Sequence, residues 1–128
     1  MNSIVQESST FDKVVFEAVT ETLPGGVILD LGSYTGVDGV IPAGLPVTAK
    51  DPTTGLSSIV THSSGTLSAT PIGYTKNAVP INLTGNNAVA VVLEGIIRLQ
   101  AMAAGYANNS TAVANLKAAL PRITHLSV

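Results

Sequence analysis

Two prolines four residues apart, with a glycine between them, set the strongest limit on what this chain can fold into. The segment Val40-Ile41-Pro42-Ala43-Gly44-Leu45-Pro46-Val47 cannot be helical. Each proline lacks a backbone donor and its ring clashes with the preceding turn. The segment reads as an extended piece, a tight turn at Ala43-Gly44, and a second extended piece carrying Leu45 and Val47. Similar punctuation recurs along the chain: Pro24-Gly25-Gly26, the glycine-rich loop from Gly32 to Gly39 around Tyr34, Asp51-Pro52 with Gly55, Ser64-Gly65, and Leu83-Thr84-Gly85-Asn86-Asn87. Between these breaks only short extended segments fit.

The first such segment is Lys13 to Thr22, where Val14, Phe16, Ala18 and Thr20 form the better core face of a strand. Val27 to Leu31 is a second strand. Short Ile/Val/Thr strands follow between Ser57 and Pro71, and again at Ile72-Gly73-Tyr74 and Val79-Pro80-Ile81. The apolar run Ala88 to Leu99 fits a buried strand or a buried helix by period alone. Its β-branched residues and the mid-run Gly95 favour a strand with a bulge at the glycine. Beyond Arg98 the chain turns Ala-rich, and LQAMAAGYA can form a turn or two of helix. Val113, Leu116 and Leu120 lie at helical spacing behind Ser110, the expected N-cap, and Pro121 ends that helix. The tail RITHLSV alternates as a last edge strand. The expected fold is therefore mainly β (α+β): a compact β-rich domain of short strands over residues 13–128, with one or two small C-terminal helices. Residues 1–12 are read as an N-terminal arm, with Ile4, Val5 and Phe11 as its apolar contacts.

Composition narrows the function classes. The chain has 128 residues, enough for one domain with its own core. It is 45% hydrophobic but only 11% charged, with a net charge of −2, so it lacks both the signature of disorder and the basic footprint of a nucleic-acid binder. There is no cysteine, which removes disulfides, thiolate zinc ligands and thiolate nucleophiles. The longest apolar run falls far short of the roughly 20 residues needed to cross a bilayer. No cationic start followed by an apolar stretch marks a leader, so synthesis in the cytoplasm is expected, with no membrane partner.

No motif points to chemistry. Val27-Ile28-Leu29-Asp30-Leu31-Gly32-Ser33-Tyr34-Thr35-Gly36 resembles the first motif of S-adenosylmethionine-dependent methyltransferases. The residues after it, through Pro42 and Gly44, cannot form the helix that motif requires. His62 and His125 stand apart from any acidic cluster and read as surface or edge-strand residues, not metal ligands. Asp30, Asp38 and Asp51 could act as paired carboxylates only if folding gathered them, and a small enzyme would need a cleft gathering Asp30, Asp38 and His62. No catalytic, cofactor-binding or metal-ligating residue is expected. Tyr34 and Tyr74 are the candidate partner-contact residues, with Tyr106 the only other tyrosine. A surface with many Val, Thr and Ala residues and few charges suits burial in an assembly, because desolvating charge is costly.

The segment Gly39-Val40-Ile41-Pro42-Ala43-Gly44-Leu45-Pro46-Val47 resembles that of the small auxiliary capsid proteins of tailed bacteriophages, which include head decoration proteins and the base domains of head fibers. Ile72-Gly73-Tyr74, the Val-rich run Val89 to Arg98 and Leu120-Pro121-Arg122-Ile123 extend the likeness, in order, over residues 13–123. The resemblance implies a β-rich domain that forms a homotrimer on the outer capsid surface of the virion and cements the major capsid protein lattice, with residues 1–12 ordering on the shell. A long C-terminal fiber repeat is missing, so within a head fiber this chain would be the base or a short auxiliary partner of the fiber protein. The alternative expectation is a virion-surface carbohydrate- or receptor-binding module built on Tyr34 or Tyr74.

Overall fold

The computed structural model describes residues 15–32, 34, 36, 38–82, 84–102 and 106–127. The expected arm contacts Ile4, Val5 and Phe11 lie outside the described residues. The elements run β1 (Phe16–Thr22), β2 (Val27–Asp30), β3 (Val40–Ile41), β4 (Pro46–Val47), β5 (Ser57–Ser58), β6 (His62–Ser63), β7 (Thr66–Leu67), β8 (Gly73–Thr75), β9 (Val79–Pro80), β10 (Asn87–Val89), β11 (Val91–Arg98), a 3-10 turn (Leu99–Ala101), α1 (Ser110–Ala119) and β12 (Ile123–Leu126). The domain is mainly β, as expected, with α1 as the one α-helix among the described residues. In the Ala-rich stretch after Arg98, the helical element among the described residues is the 3-10 turn.

The apolar run is extended from Ala88 to Arg98, broken only at Ala90 between β10 and β11, and its last residue, Leu99, opens the 3-10 turn. In β11, Val91, Val92, Gly95 and Ile97 are all buried. That fits a central strand, and β11 is the hub of the main sheet, whose order is β1-β11-β8-β4. β12 joins β11 in parallel on the side away from β1, from Gly95↔Ile123 to Arg98↔Leu126. A second sheet has the order β10-β2-β5, and β3-β9 and β6-β7 form two smaller pairs.

The segment at 40–47 folds as its prolines require, but its two extended pieces do not pair with each other. β3 goes to β9, while β4 goes to β8. Between them Gly44 takes φ +80, and a Cβ there would lie 2.9 Å from Val15 Cγ1. Both facts explain why the turn needs glycine. Thr75 holds the turn from beneath. Its amide donates to the Leu45 carbonyl (2.9 Å) and its carbonyl accepts from the Gly44 amide (2.8 Å). Its hydroxyl donates to the Pro42 carbonyl (2.8 Å) and accepts from the Leu45 amide (3.0 Å). The turn is thereby anchored to the core formed by Ile41, Leu45, Val47, Tyr74, Val91 and Ile97.

Helix α1 begins one residue earlier than the hydroxyl pattern suggested. Asn109 is the N-cap, its Oδ1 accepting from the Ala112 amide at 3.0 Å, and Ser110 is the first helical residue. Either side chain can cap, and asparagine is among the best capping residues. Ala112 and Leu116 are buried, and α1 packs against β7 and β12. Leu120 closes the helix, since Pro121 cannot continue it.

Candidate functional site

β1 is the strand that departs furthest from expectation. Residues 17–21 are all exposed, so Ala18 and Thr20 do not form a core face. The pairing with β11 explains this. Phe16 faces Ile97 and Ala18 faces Ile96, then Val19 faces Gly95 and Glu21 faces Glu94, so Glu17 and Thr20 are each an extra residue. Every such bulge breaks the alternation of faces and adds twist. Gly95 lies under this irregular stretch. A Cβ at Gly95 would stand 2.5 Å from the Ala18 carbonyl oxygen, so the glycine allows close approach of β1, while the extra residue on β11 is Leu93, between the pairings of Glu94 and Val92.

Charge holds β1 in place along one side. Glu21 and Glu94 are cross-strand partners, an arrangement that by itself repels. Arg122 resolves it by donating Nη2 to both carboxylates, at 2.9 Å for Glu94. Arg98 pairs with Glu17 at 3.4 Å. Both glutamates and both bulges blunt the outer edge of β1, which has no strand partner among the described residues. Its faces remain open, and Val19, 39% exposed, is the one large hydrophobic exposed among the described residues.

A cleft of about 510 Å³ opens at the ends of β2 and β5, lined by Asp30, Leu31, Gly32, Tyr34, Ser58, Ile59 and Thr61. β2 and β5 run parallel with Asp30 beside Ser58. The chain then turns sharply. The Asp30 carboxylate accepts from the Gly32 amide (3.2 Å), and the Tyr34 amide donates to the Leu31 carbonyl (2.9 Å). Tyr34 is thus brought back to the cleft wall, half-buried, and burial raises the pKa of its hydroxyl. On the other wall the Ser58 amide donates to Thr48 Oγ1 (2.9 Å), which fixes β5.

The remaining candidates separate. Tyr74 is 0% exposed, and its hydroxyl meets His125 Nε2 at 2.8 Å. It is a core residue and cannot be a partner contact, because β8 is covered by β4 and β11 on both edges. Tyr106 is buried too and donates its hydroxyl to the Val60 carbonyl (2.6 Å), with a pKa pushed up to about 12, chiefly by burial. Neither Asp38 nor His62 lines the cleft with Asp30. Asp51 caps its own turn by accepting from the Thr53 amide (2.7 Å). Among the described residues no three His, Cys, Asp or Glu side chains gather as a metal site. Nor, among them, is any helix long and apolar enough to cross a membrane.

Sequence reasoning singled out Tyr34 but missed its companions Asp30, Ser58 and Thr61 as a group. Their meeting depends on a parallel pairing of β2 with β5, which no local pattern announces. Compared with protein-family models, with curated proteins and with solved structures, the chain matches none.

Proposed function

We propose that this chain is a structural auxiliary capsid protein. It binds the outer surface of a phage head as a homotrimer and stabilises the major capsid protein lattice, with a head fiber protein as a further partner. The observation that supports this reading is β1. A seven-residue strand with five consecutive exposed residues contributes little to its own core. It follows directly on the proposed arm, it is blunted against pairing with another free edge, and it carries the exposed Val19. Such a strand offers faces that a larger surface can cover. The resemblance of residues 13–123 to auxiliary capsid proteins supplies the partner. A protein that binds only the expanded shell stabilises it by mass action. Many copies on a symmetric lattice gain avidity without a strong single contact.

The test is co-sedimentation of the purified chain with expanded phage-head shells assembled from major capsid protein. Deleting residues 1–12, or replacing the exposed Val19→Asp, should leave thermal stability within about 0.5 kcal/mol of the parent. Each change should lower shell occupancy. Full occupancy by both variants would refute the reading. Light scattering across a wide dilution series should give a persistent trimer of 13.0-kDa chains.

A further inference from the structure

We propose that the cleft at the ends of β2 and β5 is a binding site for a neutral saccharide. Its lining divides by chemistry. Leu31 and Ile59 are half-buried and apolar, and both pack against the hydrophobic core. Tyr34 adds a partly exposed aromatic ring. Around them stand the carboxylate of Asp30 and the hydroxyls of Ser58, Thr61 and Tyr34. The three hydroxyls make no hydrogen bond to another described residue, and Asp30 uses one oxygen on the Gly32 amide.

A sugar ring has the matching halves. Its C–H faces lie against aromatic and aliphatic surface, and its hydroxyls both donate and accept. A carboxylate accepts from sugar hydroxyls, while Ser, Thr and Tyr hydroxyls do either. Burial favours the neutral phenol of Tyr34, which keeps its proton to donate. The volume of about 510 Å³ falls within the roughly 300–1,000 Å³ of small-molecule sites. Among the described residues no lysine, arginine or histidine lines the cleft, and the one charged side chain among them is the carboxylate of Asp30. Anionic ligands, such as phosphorylated, sulfated or sialylated groups, would meet repulsion with nothing to offset it. The proposal is independent of capsid binding, and its test needs no capsid.

The full-length, isotope-labelled chain is titrated with maltotriose, cellotriose, chitotriose, mannobiose and galactobiose, with sialyllactose as the anionic control. At least one neutral probe should shift the backbone amide signals of Asp30, Gly32, Ser58 and Thr61 saturably, and sialyllactose should bind more weakly. Tyr34→Ala should weaken binding about tenfold, since it removes the ring. Asp30→Asn keeps the oxygen that accepts from Gly32 and should weaken binding about threefold to fivefold by removing a charge-assisted acceptor. Because Tyr34 packs partly on the core, loss of fold in Tyr34→Ala transfers the decision to Asp30→Asn and Ser58→Ala, both at exposed positions. The inference is overturned if no neutral probe shifts these amides. It is also overturned if the shifts map elsewhere, if sialyllactose binds as well as the neutral probes, or if the folded variants keep full affinity.

Discussion

Replacing Thr75→Val tests whether the turn at 42–45 is held by a hydroxyl or merely by shape. The two side chains are nearly the same size, so packing around this fully buried position is preserved. What disappears is the oxygen that donates to the Pro42 carbonyl and accepts from the Leu45 amide. Each buried group left without a partner costs about 1–3 kcal/mol. The added methyl and the avoided desolvation of a hydroxyl return part of this, so the net loss should be about 2–4 kcal/mol. Unfolding entropy scales at about 2.1 cal/mol/K per residue, or roughly 0.25 kcal/mol per degree for a domain of this length. Thr75→Val should therefore lower Tm by about 8–16 °C in a far-UV circular dichroism melt. Thr75→Ser keeps both hydrogen bonds and removes one buried methyl, so it should cost about 1 kcal/mol, or about 4 °C. The order is the decisive result. A valine variant as stable as the serine variant, or more so, would show that the hydroxyl does not anchor the turn.

Three further outcomes follow from the packing. Gly95→Ala forces a methyl against the Ala18 carbonyl and should cost about 1–3 kcal/mol; hydrogen exchange should localise the loss to β1, with β8 and α1 still protected. Asn109→Ala removes the acceptor for the Ala112 amide and should lower stability by about 1 kcal/mol, measured by urea unfolding at unchanged slope. His125 is kept neutral mainly by burial and secondarily by Lys117, against a smaller opposing hydrogen bond with Ile123, so its folded pKa lies below the ordinary 6.5. Between those two values the unfolded chain binds more protons, so the His125 contribution is complete above 6.5 and falls as pH drops toward the folded value. Its slope is at most about 1.4 kcal/mol per pH unit, and His125→Gln should flatten the stability profile in that window.

Much of the architecture was legible because prolines and glycines act locally. The turn at Ala43-Gly44, the strand through Val91–Arg98, the helix ending before Pro121 and the last strand at Ile123–Leu126 all follow from nearest-neighbour rules. β1 was misread because alternation assumes a regular ladder. Its faces are set by where Glu17 and Thr20 fall against β11, a strand most of the chain away. Tyr74 was misassigned for a related reason. A tyrosine bounded by glycine and threonine gives no local sign that β4 and β11 will enclose it, or that His125 will arrive to meet its hydroxyl. Tyr34 was identifiable as a glycine-loop aromatic, whereas the polar half of its cleft comes from strands joined only in the folded state.

The position of β11 bears on the order in which this molecule assembles. At Ile97 it is flanked by Phe16 of β1 on one edge and His125 of β12 on the other, so the earliest and latest described strands are stitched to one template. During synthesis β1 has no ladder to join until β11, which ends at Arg98, has been made. Closing so long a loop is entropically expensive and makes folding slow. Throughout that interval β1 is exposed on both edges, and its two glutamates serve as gatekeepers against premature association of nascent chains.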